Sequence, residues 1–333
     1  MPVTSGTIQT YANTVIREDL AQQFSMISPE ETPFMTAIGT GEAATNTYTE
    51  WTVVNLAAPD NANRVVEGEN APGVDAGTLG IRRGNYTQIS DKRVVTSHTS
   101  NAVDAAAENI QRTAAQVALK IRELKRDMET MILSNIAASA GSASTARVSA
   151  GLPAFLRTNL VLGATGAAPT LSGTTSGFPN AVLTPGTAVP FSEIALNNVI
   201  EQCWQSGGTP SIIMVNANNK RVISRTFTGN STRYKDAIDK RLVAAIDIYT
   251  SDFGELTVVP NRFLPPAASN NYSVYVLDPE YAAIKFLETL RQKPLAETGH
   301  ARERLVWCEY TLQVHNEAAH GAVHATDGTG VSA

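Results

Sequence analysis

NAVDAAAENIQRTAAQVALKIRELKRDMETMILSN, residues 101 to 135, carries the most regular apolar pattern in the 333-residue chain. Val103, Ala107, Ile110, Ala114, Val117, Ile121, Leu124, Met128 and Met131 recur at spacings alternating between four and three. That spacing draws one apolar stripe along a helix, and Asn101 with Asp104 can cap its start. The pattern predicts a helix over 101–136, roughly 50 Å long at 1.5 Å per residue. A coiled-coil pair would show the same stripe. Against a pair stand the many Ala positions and the lack of a second heptad segment, so a long helix lying across a sheet fits at least as well.

Upstream, NTYTEWTVV (46–54) and NYTQISDKRVVTS (85–97) are rich in strand formers. The segment between them has no sustained period, and a structureless loop of about 26 residues is improbable inside a compact domain. Either it is disordered or its partners lie on another chain, so the two strands predict a long projecting hairpin. Further back, VIREDLAQQFSMI (15–27) has helical spacing, after a polar arm over 1–14. ISPEETPFMTAIG (27–39) then starts a helix twice, at Ser28-Pro29 and at Thr32-Pro33. Pro33 cannot lie inside a straight helix begun at Ser28. The segment therefore predicts an elbow, formed by Ser28, Pro29, Thr32, Pro33 and Phe34, with Phe34, Met35 and Ile38 as its buried anchors.

Downstream, residues 137–190 are Ala, Gly, Ser, Thr and Pro in bulk and predict irregular structure with one short buried piece near LPAFLRTNLVL (152–162). FSEIALNNVIEQCWQSGG (191–208) predicts a helix capped by Ser192 and ended by Gly207, with Ile194, Leu196, Val199, Ile200 and Trp204 buried. SIIMVN (211–216) and YSVYVLDP (272–279) read as core strands, ANNKRVISRTF as helical, and IDIYTSDFGELTVVP (246–260) as a hairpin. These make a compact α/β unit over 191–290. LVWCEYTLQVHN (305–316) returns as a long alternating strand, and the tail from Thr326 reads as loose.

Charged residues are 17% and apolar residues 43%, the balance of a globular chain; a net charge of −5 argues against a dedicated nucleic-acid binder but not against a protein that encloses nucleic acid. Cys203 and Cys308 sit in apolar surroundings and read as buried thiols. The first 30 residues lack a signal-peptide core, and no apolar run is long enough to span a membrane, so the expected product is soluble and stays where it is made. HNEAAH (315–320) has the wrong spacing for a zinc-protease helix, and neither a nucleophile elbow nor a phosphate loop is present. Nothing specific therefore supports an enzyme, a cofactor or a metal site, although a catalytic triad assembled from distant positions stays open. One basic cluster, Lys220 to Arg241 and including Arg225, Arg233 and Lys235, suits contact with phosphate or an acidic surface, or else a solvated face. A second group, Arg291, Lys293, Arg302 and Arg304, faces Glu288, Glu297 and Glu303, as an ion-pair network between or within subunits would.

Arm helix, projecting hairpin, long helix, irregular stretch, compact α/β unit and returning strand, in that order, resemble the major capsid proteins of tailed bacteriophages. The words SPEETPFMTAIG, TYTEWTVVNLAAP, GNYTQIS, ELKRDMETMILSN, GLPAFLRTN, GGTPSIIMVN and YTLQVHNEAAHG are similar to the podophage-type branch of these major head proteins. The resemblance runs from about residue 15 to 322. It implies an α+β Hong Kong phage-type capsid fold: an arm with elbow (1–42), an extended loop (43–98), a peripheral domain (99–190 and 291–333) with the 101–136 helix as its spine, and an axial domain (191–290). It also implies a structural subunit that self-assembles as pentamers and hexamers into an icosahedral head around non-specifically held double-stranded DNA. Portal, scaffold or decoration proteins are the expected partners, with no membrane, and the expected places are the virion capsid and the host bacterial cytoplasm during assembly. Trp51, Arg82, Arg83, Lys92, Arg93, Arg225, Arg233, Lys235, Arg291 and Arg302 become candidates for assembly interfaces. A nanocompartment shell of the same fold, or an enzyme with a site built from distant residues, are the alternative readings.

Overall fold

The computed structural model describes residues 28–68, 70, 77–103, 109–174, 176–227, 247–266, 271–297 and 299–330. The arm helix expected over 15–27 lies outside these residues.

The two helix starts resolve into one. Residues 28–32 are not helical, and α1 (Pro33–Ile38) begins with Pro33 in its first turn after Thr32. Proline fits there because its missing N–H would have no helical acceptor. Gly39, at φ 66°, closes the helix by donating its N–H to the Met35 carbonyl. Of the three expected anchors, Phe34 and Ile38 are buried and Met35 is half-buried. The Thr32 side chain makes no capping bond. A carboxylate from far along the chain replaces it: Glu129 accepts from Phe34 N (2.8 Å) and from Met35 N (2.9 Å).

Glu129 sits on α3 (Thr113–Leu133), which is shorter than the helix expected over 101–136. The chain first makes a separate turn, α2 (His98–Ala102), and Val103 leaves it extended and half-exposed. Residues 104–108 lie outside the described set. Asn109 then takes a left-handed φ of 56°, a conformation Asn tolerates better than most residues. The Asn101 side-chain oxygen Oδ1 accepts from Thr113 N at 2.8 Å, so it caps α3 across the break instead of opening a continuous helix. Within α3 the stripe behaves as read at Val117, Leu124 and Met128, which are buried, but Ala114 is exposed.

β1 (Tyr48–Val53) pairs antiparallel with β2 (Ile81–Tyr86), Tyr48 opposite Tyr86 and Val53 opposite Ile81. The expected second hairpin strand, 85–97, divides at Thr87. Its larger part, β3 (Gln88–Ser97), belongs to a three-stranded sheet with β10 (Ala282–Pro294) and β11 (Ala301–Val314), in the order β10-β11-β3. Sequence hid β2 because IRRGNY carries two arginines and a glycine, with no apolar alternation. α3 packs on one face of this sheet, where Val94, Val306, Cys308 and Met128 share a core.

A seven-stranded sheet runs β4-β12-β9-β6-β8-β7, with β5 paired to β12. Its strands are β4 (Leu160–Val161), β5 (Val189–Phe191), β6 (Ile212–Val215), β7 (Ile248–Ser251), β8 (Gly254–Pro260), β9 (Tyr272–Leu277) and β12 (Gly321–Gly330). The tail expected to be loose from Thr326 is thus a strand as far as Gly330, with the Thr326 hydroxyl bonded to the Tyr272 carbonyl. Sheet membership also crosses the expected 191–290 boundary: β12 and β4 join from outside it, while β10 leaves it for the other sheet.

β6 and β9 explain why SIIMVN and YSVYVL carry so few polar residues. Met214, Tyr275 and Leu277 face the core shared with α3 and α4 (Leu152–Phe155), whereas Ile213, Val215, Val274 and Val276 face a second core under α5 (Glu193–Gln205). A strand buried on both faces needs no alternation. α5 begins at Ser192, whose hydroxyl accepts from Ala195 N, and α6 (Ala217–Val222) at Asn216, whose side chain accepts from Asn219 N. The buried face of α5 is Leu196, Val199, Ile200 and Cys203; Ile194 and Trp204, expected inside, are 64% and 54% exposed. Cys203 and Cys308 are buried free thiols, and burial pushes both up to about 12.

Three outcomes follow from this packing. Replacing Leu124, only 1% exposed, by Asp should cost at least about 4 kcal/mol and abolish folding, and Val117→Asp should act in the same direction. Soluble expression and circular dichroism check both. Glu129→Ala leaves Phe34 N, Met35 N and the Asn261 amide without their acceptor and should cost about 3 kcal/mol or more in urea unfolding. The third concerns acid. Burial holds His320 down to about 4 and His324 down to about 3. Their folded values lie below the unfolded one of about 6.5, so the unfolded chain binds protons that the folded chain refuses. Stability from these groups is complete above that value and falls as pH drops from it. Unfolding midpoints should decline between pH 6.5 and 5, and the double variant His320→Gln, His324→Gln should flatten that slope.

Candidate assembly surfaces

The hairpin is held at its root by buried polar groups. Asn85, fully buried, donates to the Leu312 carbonyl (2.8 Å) and to Ser149 Oγ (3.0 Å), and its oxygen accepts from Ala150 N (2.9 Å). One side chain thereby joins β2 to β11 and to the 149–150 segment. Thr87, where β2 gives way to β3, donates to Glu309 Oε1 at 2.5 Å; that oxygen also accepts from Arg147 at 2.6 Å. Tyr48 and Tyr86 stack with centroids 4.8 Å apart, and Phe178 packs edge-on against both. Gly84 is required there, because a Cβ on it would meet the Tyr48 hydroxyl at 2.4 Å. Burial, then the neighbouring Glu50, raise the Tyr48 hydroxyl to about 12.

Beyond this root the described residues of the connecting loop keep their large apolar side chains exposed. Leu56 and Leu79 are 87% and 84% exposed, and Val54, Val65 and Val66 are also in water. Fully burying one such side chain is worth about 1.5–3 kcal/mol, so five together constitute an unsatisfied surface.

The sequence-derived candidates separate into three sets. Trp51, Arg82 and Arg83 share the hairpin. Trp51 stands opposite Arg83, with its ring 6.0 Å from Phe155, and Arg82 pairs with Glu50 on the other face at 3.2 Å. Arg83 is held below the usual arginine value, by burial and then by the nearby Arg157. Lys92 and Arg93 form ion pairs within the chain, to Asp127 on α3 and to Glu303 on β11, both at 2.6 Å. The hydrogen bond that Lys92 donates to Asp127 raises the Lys92 pKa. Arg225, Arg291 and Arg302 are exposed, and no carboxylate among the described residues pairs with them. Arg233 and Lys235 lie outside the described residues. Elsewhere in the basic cluster Lys220 pairs with Asp247 at 3.0 Å.

Sequence reasoning passed over other exposed apolar groups. Trp204 stacks on Phe253, centroids 5.2 Å apart, at the end of α5, and Ile194 and Ile248 are exposed on the same unit. On the face of the three-stranded sheet away from α3, Ile89 and Val95 are more than half exposed. The signal in both cases was an apolar residue one step off the buried period.

The histidines do not assemble a metal site. His320 Nδ1 accepts from Asp278 N, and His324 Nδ1 meets Ser273 Oγ at 2.7 Å. Among the described residues no three His, Cys, Asp or Glu side chains converge as ligands would, and no helix is long and apolar enough to cross a membrane.

Two phage-type capsids and an encapsulin share this architecture. Over 95% of this chain and 97% of the other, the fold superposes on the capsid of a native GTA particle at 12% identity and TM-score 0.61. The capsid of cyanophage P-SCSP1u matches at 10% identity and TM-score 0.59 over 96% and 97% of the two chains. The SrpI encapsulin of Synechococcus elongatus PCC 7942 matches at 10% identity and TM-score 0.56 over 97% of both. No curated protein matches significantly in sequence. The model of the SU10 major capsid protein family matches residues 3–327. With nearly its whole length in that match, this chain belongs to the SU10 major capsid protein family and is a structural shell subunit of Hong Kong phage-type fold, not an enzyme.

Proposed function

We propose that copies of this chain assemble as pentamers and hexamers into an icosahedral phage head around double-stranded DNA, held without sequence preference. The observation that carries this reading is the loop between β1 and β2, which is anchored at its root and whose large apolar side chains are exposed among the described residues. A neighbouring copy is the surface that would cover it. Contacts larger than the usual ~800 Å² per partner would then supply much of the subunit's stability.

In this reading residues 43–98 form the extended loop, 99–190 with 291–333 the peripheral domain, and 191–290 the axial domain around the symmetry axes. The arm over 1–42 reaches a neighbour. Arg225, Arg291 and Arg302, exposed without a carboxylate of their own among the described residues, suit contacts to acidic groups of adjacent copies. The modest net charge of −5 favours closure of a shell, because strong like-charge repulsion would oppose it. Assembly takes place in the host bacterial cytoplasm, with a portal and, where present, scaffold or decoration proteins as partners.

The likeness to an encapsulin supports a second reading, a nanocompartment holding protein cargo. Particles purified from cells and treated with nuclease separate the two: protected DNA of uniform length supports a phage head, and protein cargo without DNA supports the compartment. Deleting residues 57–78 tests the role of the loop. Circular dichroism should report a folded subunit, and electron microscopy should show capsomers or fragments but no closed shells. Normal shells from this deletion would refute the loop's role.

A further inference from the structure

The three-stranded sheet has two edge strands, and the chain treats them differently. The free side of β10 is covered in part, since Gly41 N and Ala44 N donate to the Ile284 and Phe286 carbonyls at 2.9 Å. Past Phe286 the register of β10 shifts twice, and the strand ends in Lys293 and Pro294, features that blunt an edge. β3 has no such protection. It pairs with β11 from Gln88 to Ser97 without a shift and contains neither Gly nor Pro.

The ladder fixes which backbone groups of β3 are free. His98 N donates to the His300 carbonyl at 3.4 Å, one step beyond the Ser97–Ala301 pair. Bonded and non-bonded pairs alternate along an antiparallel ladder. Even-numbered residues of β3 therefore bond β11, and Ile89, Asp91, Arg93, Val95 and Ser97 turn their N–H and C=O groups outward. The Ser97 carbonyl accepts from the Asn101 amide at 2.9 Å. The outward backbone groups of the other four have no partner among the described residues. They can be reached from outside: Ile89 and Val95 are more than half exposed, and Asp91 and Arg93 are exposed. An open cleft of about 450 Å³ also lies beside residues 93–97, with Gln116 and Lys120 of α3 in its wall.

We infer that β3 pairs antiparallel with β3 of a second copy about a two-fold axis at Lys92, joining the two sheets into one. The inference rests on the shell reading and goes beyond it by naming the strand, its register and the residues that face each other. In this register Asp91 faces the partner's Arg93, and Ile89 faces the partner's Val95. Each facing pair exchanges two backbone hydrogen bonds. Asp91 makes no ion pair or hydrogen bond among the described residues, and Arg93 is engaged there only by Glu303. Sliding the strands by one bonded pair sets Asp91 against the partner's Asp91, or Arg93 against the partner's Arg93. Like charges directly opposite destabilise a sheet, so the register is selected. The exposed face of β3 is its own complement, as a two-fold contact requires. On the other face Lys92 meets the partner's Lys92 at the axis, each charge balanced by its own Asp127 at 2.6 Å.

A cysteine at the axis reads the register, because only residue 92 faces itself and the side chains of a non-bonded pair stand closest. Oxidised particles of Lys92→Cys should give a disulfide-linked dimer on a non-reducing gel, and Asp91→Cys should stay monomeric. Cys203 and Cys308 are buried and do not compete. Particles that form without the Lys92→Cys dimer, or with an equal Asp91→Cys dimer, overturn the pairing and leave the shell reading intact. Linked dimers from a chain that never closes a shell support the pairing and overturn the shell reading. In solution, Asp91→Arg sets like charges opposite each other at both symmetric positions and should weaken association between subunits about tenfold. Val95→Pro removes one outward N–H, which an edge strand tolerates, and should act in the same direction. The melting of dissociated subunits should stay unchanged in both. Association as tight as in the native chain would overturn the proposal.

Discussion

A single buried carboxylate joins the parts of this molecule. Glu129 lies on α3 with no exposure, accepts from the first two free amides of α1, and accepts at 2.7 Å from the Asn261 side chain. Asn261 follows β8, and its own amide donates to the Val215 carbonyl at the end of β6. The elbow, the long helix and the seven-stranded sheet therefore meet on two oxygen atoms. Burial raises the pKa of Glu129, while the three hydrogen bonds oppose that shift. A short helix begun by proline gains from an anion at its amino end. The start of α1 is thereby fixed to the body of the molecule.

The hairpin obeys the opposite constraint. Its root is over-determined by Asn85, Thr87 and the Tyr48–Tyr86–Phe178 cluster, whereas its loop has no core of its own. Rigid attachment with bare apolar length is wasteful in a monomer and useful in a lattice, where the loop's direction must be set before its partner arrives. The seven-stranded sheet, covered on both faces, provides the stable mass from which these projections depart.

Much of the order of elements was legible because it rests on local pattern. Proline after threonine marked α1, the four-three stripe marked the body of α3, and the apolar words SIIMVN and YSVYVL marked the central strands. What escaped depends on distant partners. Glu129, within KRDMET, reads as one more surface charge, and only the fold brings Phe34 and Asn261 to it. Asn85 reads as the polar first residue of a strand and is a buried staple. The 101–136 helix was overextended because alanines continue a stripe at little cost even where Asn109 reverses the chain. Ile194 and Trp204 were placed inside because an amphipathic pattern cannot say how wide the covered face is. Among the interface candidates, Lys92 and Arg93 turned out to have acids within the chain, a pairing that no spacing in the sequence encodes.

The central claim is that the apolar side chains of the loop between β1 and β2, exposed among the described residues, are there for a neighbour to cover, while the Glu129 junction is complete in each subunit. Amide hydrogen exchange on assembled particles and on dissociated subunits separates the two. The account predicts that residues 54–68 and 77–80 exchange fast in subunits and become protected in particles, whereas Phe34 and Met35 are protected in both. Equal exchange of the loop in the two states, or protection of Phe34 and Met35 only after assembly, would contradict it.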